Sequence, residues 1–124
     1  MDPLRRGLRQ SADALVHRLA RVGVQLGYER EGVDALDRYV DDNRGLWSPD
    51  DRERLATELA AFVGEAMVAT YALSWRVDKG TPSLALPDGD TASPLQAAHA
   101  RLDGDERLTS FFDRIGDALT HARR

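Results

Sequence analysis

The chain has 124 residues, 42% hydrophobic and 31% charged, the makeup of one folded domain with a modest core. Its formal charge of −4, from 17 Lys+Arg against 21 Asp+Glu, argues against nucleic-acid binding through a dense basic surface. With no cysteine it can hold no disulfide, thiolate nucleophile or cysteine metal site.

The start, MDPLRRGLRQ, is basic but leads into no apolar core of about 7–15 residues, so it does not read as a secretory leader. Leu8, Ala12, Leu15, Val16, Leu19 and Leu26 recur at helical spacing and predict a first helix over about 8–26, its arginines outward and Gly27 its stop. A second helix is expected from about Val33 to Asn43. Val33, Leu36, Tyr39 and Val40 form its apolar stripe, and Asp34, Asp37 and Asp41 face water. Leu46 and Trp47 follow as lids over the core edge.

Ser48-Pro49-Asp50-Asp51 is the clearest helix start in the chain: a capping hydroxyl, a proline at the first helical position, and two acids in the positive first turn. The helix over 49–72 presents Leu55, Leu59, Phe62, Ala66, Ala69 and Leu73 on one face. Ala60, Ala61, Gly64, Met67 and Val68 cover much of the rest, which predicts the hub of the fold. From Leu59 to Trp75 the only charge is Glu65, and that carboxylate argues against a membrane span. A cytoplasmic protein without a membrane contact is expected.

After Tyr71 the period changes to that of a strand. Leu73, Trp75 and Val77 alternate with polar residues, Asp78-Lys79-Gly80 turns the chain, and Leu84 and Leu86 alternate again. The pattern predicts one β-hairpin, 73–77 with 83–86, and Pro82 requires a free edge beside it. Ser93-Pro94-Leu95-Gln96 repeats the cap-and-proline start and begins a short helix with Leu95, Ala98 and Leu102 inward. Asp103-Gly104-Asp105 closes it. A last helix over 108–122 buries Leu108, Phe111, Phe112, Ile115 and Leu119, with His121, Arg123 and Arg124 near its negative end. The expected class is α+β, mostly α: about five helices and one β-hairpin, in a single domain spanning 1–124.

Few residues point to chemistry. His17, His99 and His121 lie far apart without ligand spacing, so no metal and no cofactor is expected. Asp103-Gly104-Asp105 lacks the ligand series of a calcium loop, and neither a phosphate-binding glycine loop nor a nucleophile elbow occurs. Glu65 stands out on the flank of an apolar helix, with Glu58 on the same flank. Buried there, it must be paired, and Arg76 and Arg101 are the expected partners. Tyr71 and Trp75 form an aromatic patch that Trp47 could join, without the basic residues of a stacking surface for nucleic acid. Sixteen of the basic residues are Arg, which reads as coding bias.

The segments GVDALDRYVDDNR (32–44), LATELAAFVGEAMVATYALSW (55–75) and SPLQAAHARLDGDERLTSFFDRI (93–115) resemble a bacterial domain family. Its members look like a helix pair, a long helix with a Gly-Glu step, a Tyr and Trp leading into a hairpin, and a closing helix pair. The similar positions are Gly64, Glu65, Tyr71, Trp75, Pro94, Arg101, Leu102, Gly104 and Ser110 to Phe112. Ala72-Leu73-Ser74 departs from the glycine-rich step expected before Trp75. The resemblance covers about 32–115, leaves residues 1–27 as an N-terminal extension, and brings no catalytic residues with it.

These features lead to a non-enzymatic protein-interaction domain that contacts itself, as a homodimer, or another protein. The contact would use the outer face of the 49–72 helix and the hairpin edge, with Ala61, Gly64, Val68, Leu84 and Leu86. The alternative is a small-ligand site or minor catalytic site near Glu65, Tyr71, Trp75, Arg76, His99 and Arg101. A third reading, a toxin-neutralising partner, would use the acidic segment 29–58, where nine acids stand among 31–60 against four Arg.

Overall fold

The computed structural model describes residues 2–104 and 106–122. Asp105, considered above in the 103–105 turn, and Arg123 and Arg124 lie outside them. Five helices and three short strands occur among the described residues: α1 (Pro3–Ala20), α2 (Arg30–Asp42), α3 (Pro49–Tyr71), β1 (Ser74–Asp78), β2 (Thr81–Ala85), β3 (Thr91–Ala92), α4 (Pro94–Asp103) and α5 (Leu108–Ala122). The fold is α+β, mostly α.

The first helix begins and ends earlier than the apolar period implies. Asp2 accepts the Arg5 backbone N–H at 3.0 Å and Pro3 occupies the first turn, so a local cap starts α1 before the apolar stripe begins. At the other end Gly23 adopts φ 84°, with Gly23 N–H bonded to Ala20 O and Val24 N–H to Leu19 O. This pair of bonds closes the helix at Gly23 rather than at Gly27. Leu26 still reaches the core from the loop beyond. The segment expected as an extension is part of that core, because Ala12, Leu15 and Leu19 are buried.

The Ser48 hydroxyl accepts the Asp51 N–H at 3.1 Å, and α3 starts at Pro49 as expected. It is the hub: α1 packs along it, α4 packs along it, and every residue from Glu58 through Met67 is buried. Ala69, expected on the core face, is exposed. Ala72 ends the helix in a left-handed conformation, φ 57°, and turns the chain into β1. Helices α2 and α5 pair with each other at the side of α3.

The strands form an antiparallel sheet in the order β1-β2-β3, so the hairpin gains a third strand. Trp75 faces Leu84 and Val77 faces Pro82. Lys79 and Gly80, at φ 52° and 80°, make the left-handed two-residue turn that suits strand twist. The third strand pairs only Thr91 and Ala92, with Ala85 and Leu84. Among the described residues Pro82 therefore meets no strand on that side, the free edge that its missing N–H needs. No described helix is long and apolar enough to cross a membrane.

Candidate functional site

Three acids, Asp37, Glu58 and Glu65, are buried where helices meet. Glu65, on α3, is 1% exposed. Its Oε2 accepts the indole N–H of Trp75 at 2.8 Å, and its Oε1 accepts from an Arg9 guanidinium nitrogen at 3.4 Å. Arg5 adds an ion contact at 3.6 Å. Arg9 in turn lies 3.9 Å over the Tyr28 ring, and the Tyr28 hydroxyl donates to Asp13 at 2.5 Å. Burial, and then this hydrogen bond, push the Tyr28 phenol up. Tyr28 stacks on Phe62, which ties the cluster to the core.

Glu65 is thus paired, but not with the expected arginines. Because α1 runs antiparallel to α3, Arg5 and Arg9 reach Glu65 while Arg18 reaches Glu58 with two bonds of 2.7 Å. The Glu58 hydrogen bond raises the Arg18 guanidinium above its ordinary value. Arg9 and Arg18, expected on the outer side of the first helix, bind α3 instead.

Arg101, 2% exposed, belongs to the second centre. Its Nε lies 3.0 Å from Asp37 Oδ1, and another nitrogen donates to the Asp37 carbonyl at 2.9 Å and to the Asp41 carboxylate. Asp37 is fully buried at 0% exposure, which corrects its expected place on the water side of α2. Its carboxylate accepts the backbone N–H of Leu108 at 2.8 Å and of Thr109 at 3.0 Å, and the Thr109 hydroxyl at 3.0 Å. An acid from α2 therefore caps α5, where a negative charge meets unsatisfied N–H groups. Asp41, held by Arg101 and by Arg107 at 3.2 Å, has its carboxyl lowered, chiefly by the Arg101 hydrogen bond.

The remaining residues of the expected ligand site do not converge. The Tyr71 hydroxyl donates to the Phe112 carbonyl at 2.9 Å, and its ring packs on Phe112. Burial pushes its phenol up. Arg76 is exposed on β1. His99 lines a shallow hollow with Pro49, Arg52, Glu53, Leu102 and Asp103, in which Glu65 and Trp75 take no part. Only Glu65 and Trp75 meet. Among the described residues no group of three or more His, Asp or Glu is placed to hold a metal ion.

Of the residues expected at a contact between copies, Ala61, Gly64 and Leu84 are buried within the chain, and Val68 and Leu86 are half-buried. The close approach that Gly64 permits is used by Trp75: a Cβ there would lie 2.0 Å from the indole. That leaves no room at Ala61 and Gly64 for the α3 helix of a second copy. The exposed apolar residue of the hairpin is Val77, 57% exposed. Strand alternation places it on the same face of β1 as Trp75.

Compared with known proteins, the chain matches no family model, no curated protein and no solved structure. The arrangement itself then has to indicate the function. Both Glu65 oxygens are occupied by internal donors beneath Trp75, and both Asp37 oxygens by α5. These centres hold helices together.

Proposed function

We propose that this chain is a non-enzymatic protein-interaction domain that accepts an extended strand along the outer edge of β1. One observation carries the reading. The first strand is an outer strand of five residues, with β2 on one side and, among the described residues, no strand on the other. Pro82 lacks an N–H, so the Val77–Pro82 pair is not one that exchanges two hydrogen bonds. By alternation Ser74, Arg76 and Asp78 turn their backbone groups to β2, and Trp75 and Val77 turn theirs outward. Unpaired N–H and C=O groups on such an edge are a template for another strand.

The closed state of Glu65 supports the same reading over a ligand site, since its oxygens already have partners. A cytoplasmic setting goes with it, as does the bacterial origin that the resemblance of 32–115 implies.

The test is a comparison of wild type with Val77→Pro. Proline at 77 removes an outward N–H and leaves the bonds to β2 in place, as edge prolines do. Immobilised wild-type chain is expected to retain a protein partner, a second copy included, that the folded variant does not. Equal retention by both, or retention of nothing, overturns the reading.

A further inference from the structure

We infer that the occupant of the β1 edge is a second copy of this chain, paired antiparallel with its two-fold axis at Val77. The inference rests on the reading of β1 as the contact surface and adds the partner and its register.

The two edges of the sheet differ. On the far edge β3 is two residues long and β2 carries Pro82 beyond it, both common ways of blunting an edge. The near edge has neither. It offers five residues without proline, and Val77 stands exposed in their midst.

Register follows from charge. Symmetric pairings that use the outward groups can centre on Trp75, Arg76 or Val77. Centring on Trp75 sets Val77 against Leu73 beyond the start of β1, just as centring on Val77 sets Trp75 against Lys79 in the turn, so each keeps a ladder of three residues. With Trp75 at the centre, however, Arg76 faces only Ser74 and gains no charge partner. Centring on Arg76 puts two guanidinium groups directly opposite, and like charges so placed are destabilising. Centring on Val77 pairs Val77 with its own copy and exchanges two backbone hydrogen bonds. On the other face it sets Arg76 of each chain opposite Asp78 of its mate, twice by symmetry. Among the described residues Arg76 makes no ion pair within its own chain, and the Asp78 carboxylate accepts only the Thr91 hydroxyl, at 3.2 Å.

Sedimentation of the purified chain over a range of concentrations tests this, with circular dichroism confirming that each variant is folded. Wild type is expected to pass from monomer to dimer. Arg76→Glu and Asp78→Arg are each expected to raise the dissociation constant about tenfold or more, since each opposes like charges twice. Mixing the two variants is expected to restore the dimer, because both charge pairs are then complementary. Val77→Cys, which introduces the only thiol in the chain, is expected to form a covalent dimer under mild oxidation. A wild type that stays monomeric throughout overturns self-pairing, as does a dimer that R76E and D78R leave unchanged or that mixing fails to restore. If the monomer still retains another protein in a Val77-dependent way, the β1 reading stands and only the second copy falls.

Discussion

Asp37 and Glu65 are both buried acids between helices, yet they are satisfied in opposite ways. Asp37 is held by backbone N–H groups, a hydroxyl and an arginine buried with it. Glu65 is held by one indole N–H and by two arginines that remain 40% exposed at their side chains. The hydrogen-bond donors to Asp37 are all buried, with Arg107, 41% exposed, reaching it at 3.8 Å, whereas Glu65 draws both of its cations from the surface. Burial of the acid alone therefore does not measure its importance; the burial of its partners does.

Substitutions at the two centres should separate them. Asp37→Ala uncaps α5 and takes from the buried Arg101 one of its two carboxylates, leaving it Asp41 and the backbone carbonyl of residue 37. It is expected to cost about 3–5 kcal/mol in urea unfolding, the range for breaking a buried pair by removing one member. A loss no greater than that of a Glu65 substitution would erase the contrast. Gly64→Ala acts on the Glu65 side by pushing the indole off α3. The expected loss is about 1–3 kcal/mol, the usual cost of overpacking, with a shift in Trp75 fluorescence. Glu65→Gln keeps an acceptor for Trp75 but loses the charge facing Arg5 and Arg9. About 1–2 kcal/mol is expected at neutral pH, near the worth of a hydrogen bond to a charged group. An unchanged unfolding free energy between about pH 5 and 8, well above the ordinary carboxylate range, would show that the charge of Glu65 contributes nothing.

The smallest effect belongs to an exposed pair used as a reference. Arg30 holds Asp113 with two bonds, of 2.9 and 2.8 Å, and this hydrogen bonding lowers the Asp113 carboxyl. A lowered carboxyl stabilises the fold above its unfolded value, about 3.9, and that contribution is lost as pH falls through the folded value. Arg30→Gln is expected to return Asp113 toward the ordinary range in a carboxyl titration followed by nuclear magnetic resonance. Its stability gap from wild type should be full at neutral pH and close in acid. A gap that persists there would place the role of Arg30 outside the ion pair.

Much of the architecture was legible because the signals are local. Ser48-Pro49 and Ser93-Pro94 each mark a helix start within four residues, and the shift of period after Tyr71 marks the hairpin. The third strand was not legible, since two residues carry no period. Glu65 could be recognised as an oddity on an apolar helix, but its partners depend on how α1 lies against α3. That orientation is a property of packing, not of spacing along one helix. Asp37 could have been found. It lies four residues after Val33 and three before Val40, on the buried stripe, and α5 begins at Arg107-Leu108 without an acceptor side chain of its own. Asp34 and Asp41, expected with Asp37 on the water side of α2, mask that match in the sequence. The abundance of arginine likewise has a structural use beyond coding bias. Arg52 donates to the Leu102 carbonyl at 2.8 Å and Arg44 to the Gly104 carbonyl at 2.8 Å, closing the end of α4.

The borrowed cap of α5 bears on the order in which the chain folds. Helices α3 and α4 carry their own caps and can begin from neighbouring residues alone. By contrast, α5 takes its cap from an acid 71 positions earlier, counted to Leu108. Short isolated helices are marginal in water, so α5 gains this support only once α2 is in place. The closing of that long loop ties the stability of the final helix to the docking of α2.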